Sequence, residues 1–225
     1  MPKTCLVTGA NRGIGLEFAR QLSARGDEVI GTARDPAKAG ELRSLRVSVE
    51  ALDIASASSV TTFARRLDGR SVDLLVNNAA IGEASVEAAR VSVEELERYF
   101  RTNAIGPFHV TQSLLPNLRA GKRKLVVSLS SGLGSIEGNR EGGWVAYRAS
   151  KAALHQLHRT LAAELSGEGM IFVLLSPGWV RTRMGGPQAP LTPEESVRAM
   201  LKVIDRLSPR DNGKFYDQRG KEVPW

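Results

Sequence analysis

The chain has 225 residues, of which 42% are apolar and 24% charged, the composition of an ordinary soluble globular protein. A chain of this length is expected to form a single domain over residues 1–225 and to bury roughly 70% of the surface that its unfolded form exposes. The one cysteine, Cys5, excludes a disulfide framework and a cysteine-based zinc site. We expect Cys5 to be a small core residue and the protein to hold no metal.

The balance of 31 Lys and Arg against 24 Asp and Glu gives a net charge of +7, which suits an anionic partner. The basic residues are scattered, and no nucleic-acid-binding motif is present, so we expect a phosphorylated small molecule rather than a nucleic acid. No apolar run approaches the roughly 18 residues of a membrane span, and the N-terminus lacks a signal-peptide core. The sequence therefore predicts a cytoplasmic protein with no membrane partner.

Short runs rich in β-branched residues and leucine alternate with longer stretches of helical period along the chain. The predicted strands are 4–8, 28–32, 47–52, 72–77, 124–129, 170–176 and 214–216. The predicted helices are 14–24, 56–67, 92–118, 145–165 and 193–207, and the last is preceded by a mobile Gly- and Pro-rich loop at 184–190. Capping boxes predict the starts of two helices, at Ser92–Glu95 and at Thr192–Glu195. Apolar strands separated by helices predict βα units and a parallel sheet with helices on both faces.

The first strand runs into a glycine-rich turn, Thr8-Gly-Ala-Asn-Arg-Gly-Ile-Gly15, that opens onto a helix. Gly9 permits a tight turn, Gly13 lets a pyrophosphate approach the backbone, and Gly15 allows close packing of helix and strand. The N–H groups at the helix start favour an anion. The spacing GxxxGxG also occurs in turns without a ligand, so both interpretations stay open on this motif alone.

A second motif, Tyr147-Arg-Ala-Ser-Lys151, lies on a predicted helix after the strand that ends at Ser130 and Ser131. Tyr147 and Lys151 are four residues apart and share one helix face. We expect the ammonium group to lower the pKa of the phenol, which can then exchange a proton with a carbonyl or alcohol oxygen.

Taken together, the motifs resemble the short-chain dehydrogenase/reductase family, in its branch of about 250 residues, over the whole chain. The TGxxxGIG of the family matches residues 8–15, its NNAG resembles Asn77–Ala80, and its PG matches Pro177 and Gly178. Segments 130–135, 146–151 and 177–182 look most like the carbonyl-reductase and C-factor-like subgroup. The resemblance implies an α/β doubly wound (Rossmann) fold with seven parallel strands in the order of the family.

The resemblance also implies catalytic roles. Tyr147 would be the general acid in reduction, Ser131 would hold the substrate oxygen, and Lys151 would bind the nicotinamide ribose. Asn103 would distort its helix and hold a water that relays protons to Lys151. Ser130 remains the alternative to Ser131.

The implied cofactor is NADP(H) rather than NAD(H). The usual acidic position after the second strand falls on Ala33, and Arg34 follows it, within reach of a 2′-phosphate. Arg12 in the glycine-rich turn can reach the same phosphate. Asp35 would meet the ribose instead if the register were shifted. The cofactor-binding residues that the resemblance implies are Gly9, Asn11, Arg12, Gly13, Ile14, Gly15, Arg34, Asp53, Ile54, Asn78, Ala79, Ala80, Tyr147, Lys151, Pro177, Gly178, Val180 and Thr182. Asp53 matches the family residue that hydrogen-bonds the adenine amino group, and a role as the cap of the next helix is an equal alternative.

Two features depart from the family pattern. Ala80 replaces a glycine, which would cost stability if its φ were positive, and the loop 136–143 beside the substrate is longer than usual. His155 and His158 form half of a metal site at most, so we expect them to have packing or surface roles.

The predicted function is hydride transfer between NADP(H) and a carbonyl or alcohol substrate. The alternative is an NADP(H)-binding signalling or scaffold protein without turnover, whereas a hydrolase lacks its Gly-x-Ser-x-Gly motif. Trp144 and Trp179 predict an apolar pocket for flat aromatic carbonyls. Arg181 and Arg183 suggest instead an anionic substrate or the cofactor phosphates. The physiological substrate, the direction of reaction and the choice between homodimer and homotetramer stay open.

Overall fold

A computed structural model describes residues 2–83 and 88–225. Its seven strands form one parallel sheet in the order β3-β2-β1-β4-β5-β6-β7. The strands are β1 Thr4–Val7, β2 Glu28–Ala33, β3 Ser48–Ala51, β4 Leu74–Asn77, β5 Leu125–Leu129, β6 Ile171–Ser176 and β7 Lys214–Asp217. All seven predicted strands are present, and the doubly wound fold is confirmed.

Helices cover both faces of this sheet. They are α1 Gly13–Ala24, α2 Gly40–Arg43, α3 Ala57–Arg66, α4 Val93–Phe100, α5 Gly106–Ser113, α6 Leu115–Ala120, α7 Val145–Glu164 and α8 Pro193–Arg206. Alternate residues of each strand point to opposite faces. Cys5 and Val7 therefore pack with α1, α2 and α8, whereas Leu6 packs with α3, α5 and α7. The prediction that Cys5 is a core residue is confirmed, since it is fully buried.

The predicted helix 92–118 is wrong as a single element. After α4 the chain makes a π-helical turn, Arg101–Ile105, then continues as α5 and breaks again at Leu114 before α6. Both later segments carry a proline in their first turn, Pro107 and Pro116, where the missing N–H costs no helical hydrogen bond. These two prolines are the sequence signal that the periodicity obscured.

Both predicted capping sites start their helices, but the structure shows the full box only at Thr192 and one of its two hydrogen bonds at Ser92. The Ser92 hydroxyl accepts a hydrogen bond from the Glu95 N–H at 3.1 Å. At Thr192 both hydrogen bonds of the box with Glu195 are present, and Pro193 is the first residue of α8. Among the helices of residues 2–83 and 88–225, none has the length and apolar character that a membrane span requires.

His155 and His158 both lie on the buried side of α7, which agrees with a packing role. The His158 ring contacts Phe172 edge to face, with centroids 5.5 Å apart, and its Nε2 atom has no hydrogen-bond partner among the described residues. Burial lowers the pKa of His158 to about 3 and that of His155 to about 4, so both rings are neutral in the fold.

This burial predicts a loss of stability in acid. The folded pKa of His158 lies below its ordinary value of 6.5, so its contribution is complete above that pH and is lost as the pH falls towards 3. We expect the loss from this residue to be on the order of 2 kcal/mol at pH 5. Urea unfolding of His158→Phe at pH 7 and pH 5 measures it. If the free energy of unfolding falls between pH 7 and pH 5 by as much in the variant as in the wild type, His158 is not the cause of the loss.

Candidate active site

The predicted site residues gather at the carboxyl-terminal edge of the sheet. The strand order reverses between β1 and β4, and an open α/β sheet binds ligands in the crevice at such a point. The glycine-rich turn follows β1, the segment Asn78–Ala80 follows β4, Ser130 and Ser131 follow β5, and Pro177 follows β6. Four strand ends thus bring together residues that lie far apart in sequence.

The glycine-rich turn has the geometry that its glycines predict. Gly9 and Gly13 have φ values of 65° and 55°, a left-handed conformation that favours glycine. A Cβ on Gly15 would lie 2.4 Å from both the Gly9 oxygen and Asn78 Nδ2, so only glycine fits there. The helix α1 therefore begins against the turn with its N–H groups directed into the crevice.

The segment after β4 holds this turn in place. Asn78 Nδ2 donates to the carbonyl oxygens of Thr8 and Gly9, at 2.8 and 3.1 Å, and the Thr8 hydroxyl accepts from the N–H groups of Asn78 and Ala79. Ala80 is not among the described residues with positive φ, so its replacement of glycine carries no backbone strain. The side chain of Asn78 thus supports the turn.

Three arginines converge beside the turn. Arg12 precedes α1, Arg34 follows β2, and Arg183 lies on the loop after β6. Burial lowers the pKa of Arg12, and the charges of Arg183 and Arg34 lower it further. Within the described residues no carboxylate lies within salt-bridge distance of these three, so the cluster is a site of concentrated positive charge that suits a phosphate.

The two acidic residues near this cluster are engaged locally. Asp35 accepts from the Ala37 N–H and pairs with Lys38 at 3.2 Å, and the charge of Arg34, the residue before it, acts on Arg12. The carboxylate of Asp53 accepts from the Ala55 N–H at 3.0 Å. Ser56, and not Asp53, caps α3, so the capping interpretation of Asp53 is wrong.

Tyr147 lies on the first turn of α7 between two aromatic rings. Tyr99 and Trp144 meet its ring edge to face, at centroid distances of 6.4 and 6.0 Å. Trp144 has a φ of 52°, a left-handed conformation that is rare and strained for a bulky residue. Such strain persists only where the surrounding structure holds it, and here it sets an indole ring beside the phenol.

The expected lowering of the Tyr147 pKa is not observed. Burial raises the pKa of Tyr147 to about 12, while a hydrogen bond from Ser131 acts in the opposite direction. The Lys151 ammonium donates to the Leu129 carbonyl at 2.9 Å and lies 5.8 Å from the centre of the phenol ring. Burial also lowers the pKa of Lys151 to about 8. Desolvation is the largest cause of both shifts.

The structure separates the two candidate serines. The Ser131 hydroxyl interacts with the Tyr147 side chain and accepts from the Leu133 N–H at 3.1 Å. The Ser130 hydroxyl is buried and hydrogen-bonds to His155 Nε2 instead. Of the two, only Ser131 is directed towards the phenol.

Asn103 lies inside the π-helical turn Arg101–Ile105, which agrees with a distorted helix at this position. Its Oδ1 accepts from the Ile81 N–H and its Nδ2 donates to the Ile81 carbonyl, both at 2.9 Å. A further bond joins Nδ2 to the Ser150 hydroxyl, one residue before Lys151. Asn103 thus connects the chain after β4 to the helix that carries Tyr147 and Lys151.

The loop after β6 closes the other side of the crevice. Gly178 has a φ of 78°, and Val180 is buried and bridges to Leu191. The loop returns so that Thr182 Cγ2 would lie 3.5 Å from a Cβ on Gly13. Trp179 is 57% exposed, and its Nε1 donates to the Gly185 carbonyl.

The remaining cofactor-binding predictions fall on the same edge of the sheet. Asn11 is half-buried in the glycine-rich turn, Ile14 packs on the core below it, and Ile54 is buried after β3. The residues fit a dinucleotide phosphate, because the left-handed glycines, the start of α1 and the arginine cluster all meet at one place. Sequence reasoning missed the Tyr99 ring and the Ser130–His155 bond, since neither belongs to a local motif. No group of three or more metal-ligating side chains is found in the described part of the chain.

Comparison with known proteins places this geometry in a family. A family model described as short chain dehydrogenase matches residues 3–191. The C-signal of Myxococcus xanthus is 45% identical over 163 residues, which cover 72% of this chain and 98% of that protein.

Two solved structures are similar over the full chain. The carbonyl reductase Sniffer of D. melanogaster has a TM-score of 0.95 at 30% identity and covers 100% of both chains. An NADPH-bound carbonyl reductase from chicken fatty liver has a TM-score of 0.92 at 34% identity and covers 100% of this chain and 99% of that one. The matched segment and these likenesses show that the chain belongs to the short-chain dehydrogenase family.

Proposed function

We propose that this protein transfers a hydride between NADP(H) and a carbonyl or alcohol substrate, as a carbonyl reductase-like enzyme. The observation that carries the proposal is the meeting of Ser131, Tyr147 and Lys151 beside the glycine-rich turn and the arginine cluster. One crevice thus offers a proton donor, a partner for the substrate oxygen and a phosphate site.

The cofactor is NADP(H). The arginine cluster of Arg12, Arg34 and Arg183 provides charge for its phosphates, and the carbonyl reductase from chicken fatty liver, with a similar fold, holds NADPH. The local pairing of Asp35 with Lys38 leaves the alternative contact to a ribose hydroxyl without support.

When bound, NADP(H) supplies or accepts the hydride. The residues of the chain do the rest: Tyr147 gives its proton to the carbonyl oxygen, and Ser131 holds that oxygen. Lys151, buried and directed to the same edge, binds the nicotinamide ribose. Asn103 keeps α7 in position through Ile81 and Ser150.

The raised pKa of Tyr147 suits this role in reduction. With a pKa of about 12 the phenol holds its proton at neutral pH, and this is the form that a general acid requires.

We infer an apolar aromatic carbonyl as the substrate class. The half-buried ring of Trp144 lies beside the phenol, and the exposed Trp179 lies on the loop that closes the crevice. Aromatic walls of this kind bind flat apolar groups through edge and face contacts.

A screen of NADPH oxidation tests the proposed function. Purified protein is mixed with NADPH and a panel of aryl ketones, aldehydes and quinones, and absorbance of the reduced cofactor is followed. We expect turnover with members of this panel, and faster turnover than with sugars. Binding of NADPH without turnover of any carbonyl or alcohol would favour the alternative of a signalling or scaffold protein.

The arginine after β2 gives a prediction of its own. We expect Arg34→Ala to weaken NADPH binding by on the order of 1.5 to 3 kcal/mol, because a charge-assisted contact to the 2′-phosphate is lost. The affinity for NADH, which lacks that phosphate, should stay close to that of the wild type. Fluorescence titration with both cofactors measures the two dissociation constants, and equal losses would place Arg34 away from the 2′-phosphate.

A single domain over residues 1–225 and a homodimer or homotetramer remain predictions. Light scattering coupled to size-exclusion chromatography measures the oligomeric state.

A further inference from the structure

The loop 132–143 has both of its ends at the candidate active site. It joins Ser131, whose hydroxyl interacts with the Tyr147 side chain, to Trp144, which lies three residues before Tyr147. At its start, Ser131 caps the short turn Gly132–Gly134. At its end, Trp144 is the residue that precedes α7. The path of this loop therefore decides how the serine turn and the indole ring lie about the phenol.

The backbone at the end of this loop is unusual. Gly142, Gly143 and Trp144 have φ values of 68°, 67° and 52°, so three consecutive residues have positive φ. Glycine adopts this conformation freely, whereas a tryptophan keeps it only where other contacts hold it. The half-buried ring of Trp144 meets the Tyr147 ring edge to face, with centroids 6.0 Å apart. A group that fixes this backbone therefore also fixes the ring beside the phenol.

Arg148, in the first turn of α7, binds this backbone. Its Nε atom donates to the carbonyl oxygens of Gly142 and Gly143, at 3.1 Å each, and its own N–H donates to the Trp144 carbonyl at 2.7 Å. Its Nη1 atom donates to the Leu133 carbonyl at 3.4 Å, at the other end of the loop. One side chain thus joins the two ends of the loop.

The guanidinium group is suited to this task. Its donors have a fixed planar arrangement, so that one side chain can serve several acceptors at once. Among residues 2–83 and 88–225, the acceptors that Arg148 uses are backbone carbonyls, and no carboxylate forms a salt bridge with it. The side chain therefore holds backbone rather than pairing with an acidic residue on the helix surface.

We propose that Arg148 is a positioning residue for the substrate: its hydrogen bonds to both ends of the loop hold the Trp144 ring beside Tyr147 as a wall of the substrate pocket. The inference rests on the proposed function, because it assigns what fixes the aromatic wall of the same site. The effect of Arg148 on the substrate passes through Trp144. Arg148 therefore influences the KM of substrates that contact the ring, and not the affinity for NADPH.

Kinetics with two ketones test this role. Arg148→Met keeps an unbranched side chain and removes the donors. We expect it to raise the KM for acetophenone about 3- to 10-fold, the loss of a well-placed aromatic contact, and to leave the KM for butanone, which has no ring, within about twofold. The kcat for both ketones and the Kd for NADPH should also stay within about twofold of the wild type. Arg148→Lys, which keeps a charged donor without the planar fork, should give a smaller rise of the same kind.

A double-mutant cycle with Trp144→Ala separates positioning from a general loss of structure. Trp144→Ala alone should raise the KM for acetophenone at least as much as Arg148→Met, because the ring is removed. If Arg148 acts through Trp144, Arg148→Met adds nothing to the KM of a chain that already carries Trp144→Ala. Arg159→Met is the matched control, since Arg159 lies on the same helix and donates to the Gly213 carbonyl, before β7, so the KM should be unchanged.

Tryptophan fluorescence tests the same contact without turnover. The chain has three tryptophans, so Trp179→Phe together with Trp225→Phe leaves Trp144 as the emitter. In this background Arg148→Met should shift the emission to longer wavelength and increase quenching by acrylamide, because the ring leaves its half-buried place.

Three kinds of result would overturn the proposal. Unchanged KM for acetophenone, or unchanged Trp144 emission, in Arg148→Met would show that the ring is held without Arg148. An equal rise of KM for both ketones, or effects of Arg148→Met and Trp144→Ala that multiply in the double variant, would give Arg148 a general structural role. An equal rise in Arg159→Met would assign the effect to the loss of any arginine from α7. Failure of the proposed function is distinguishable, since the wild type would then reduce neither ketone, and the fluorescence of Trp144 decides the proposal on its own.

Discussion

Tyr147→Phe should abolish most of the carbonyl reduction while leaving the affinity for NADPH close to that of the wild type. The substitution removes the phenolic hydroxyl that donates the proton and keeps the ring that packs between Tyr99 and Trp144. General acid catalysis contributes roughly 10²- to 10⁴-fold in rate, so kcat should fall by that factor. Steady-state kinetics with saturating NADPH, and a separate NADPH titration, measure the two quantities.

The control for this variant is Tyr99→Phe. The Tyr99 hydroxyl accepts from the Glu83 N–H at 2.8 Å and is a contact with the backbone, so its removal should affect stability more than rate. Activity of Tyr147→Phe within twofold of the wild type would remove Tyr147 from the role of acid. A loss of NADPH affinity as large as the loss of kcat would show instead that the ring had moved.

The predictable part of the fold rests on hydrophobic patterning. Strands β5 and β6 are buried along their whole length and consist mainly of apolar residues, so the apolar runs in the sequence identify them. The strand order came from the family resemblance and not from periodicity. Helix 92–118 was wrong in part, because Asn103 bonds to Ile81, far away in sequence, and the intervening prolines begin new helical segments.

The site, like the fold, has features that the sequence predicts and features that it does not. The positive φ values of Gly9 and Gly13, and the close approach at Gly15, are what glycine at those positions predicts. The pKa of Tyr147 was predicted in the wrong direction. Spacing on a helix shows that Lys151 is near, but not how dry the surroundings are, and it is burial that decides the pKa here.

Contacts across the sheet also could not be predicted from the sequence. Ser130 and Ser131 are adjacent and chemically identical, and only the location of His155 behind β5 separates their partners. Arg12, Arg34 and Arg183 lie after three different strands, and their convergence depends on the strand order. Such features need the topology as well as the motifs.

The second large effect on kcat is expected from a substitution at Ser131, which is adjacent to Ser130. We expect Ser131→Ala to lower kcat by on the order of 10²-fold, because the hydroxyl that holds the substrate oxygen is lost as charge develops on that oxygen. Ser131 is the serine that interacts with Tyr147, and its hydroxyl also accepts a local, part-buried hydrogen bond from the Leu133 N–H. Kinetics with one aryl ketone at saturating NADPH give the factor.

Ser130→Ala is the matched variant, one residue earlier at the end of the same strand, β5. It leaves the His155 ring without its hydroxyl partner in a buried position, which should cost about 1 to 3 kcal/mol in unfolding free energy. Its kcat should stay within a few-fold of the wild type, since its hydroxyl faces away from the phenol. The reverse result, a stable Ser130→Ala with a hundredfold loss of kcat beside an active Ser131→Ala, would make Ser130 the serine that holds the substrate.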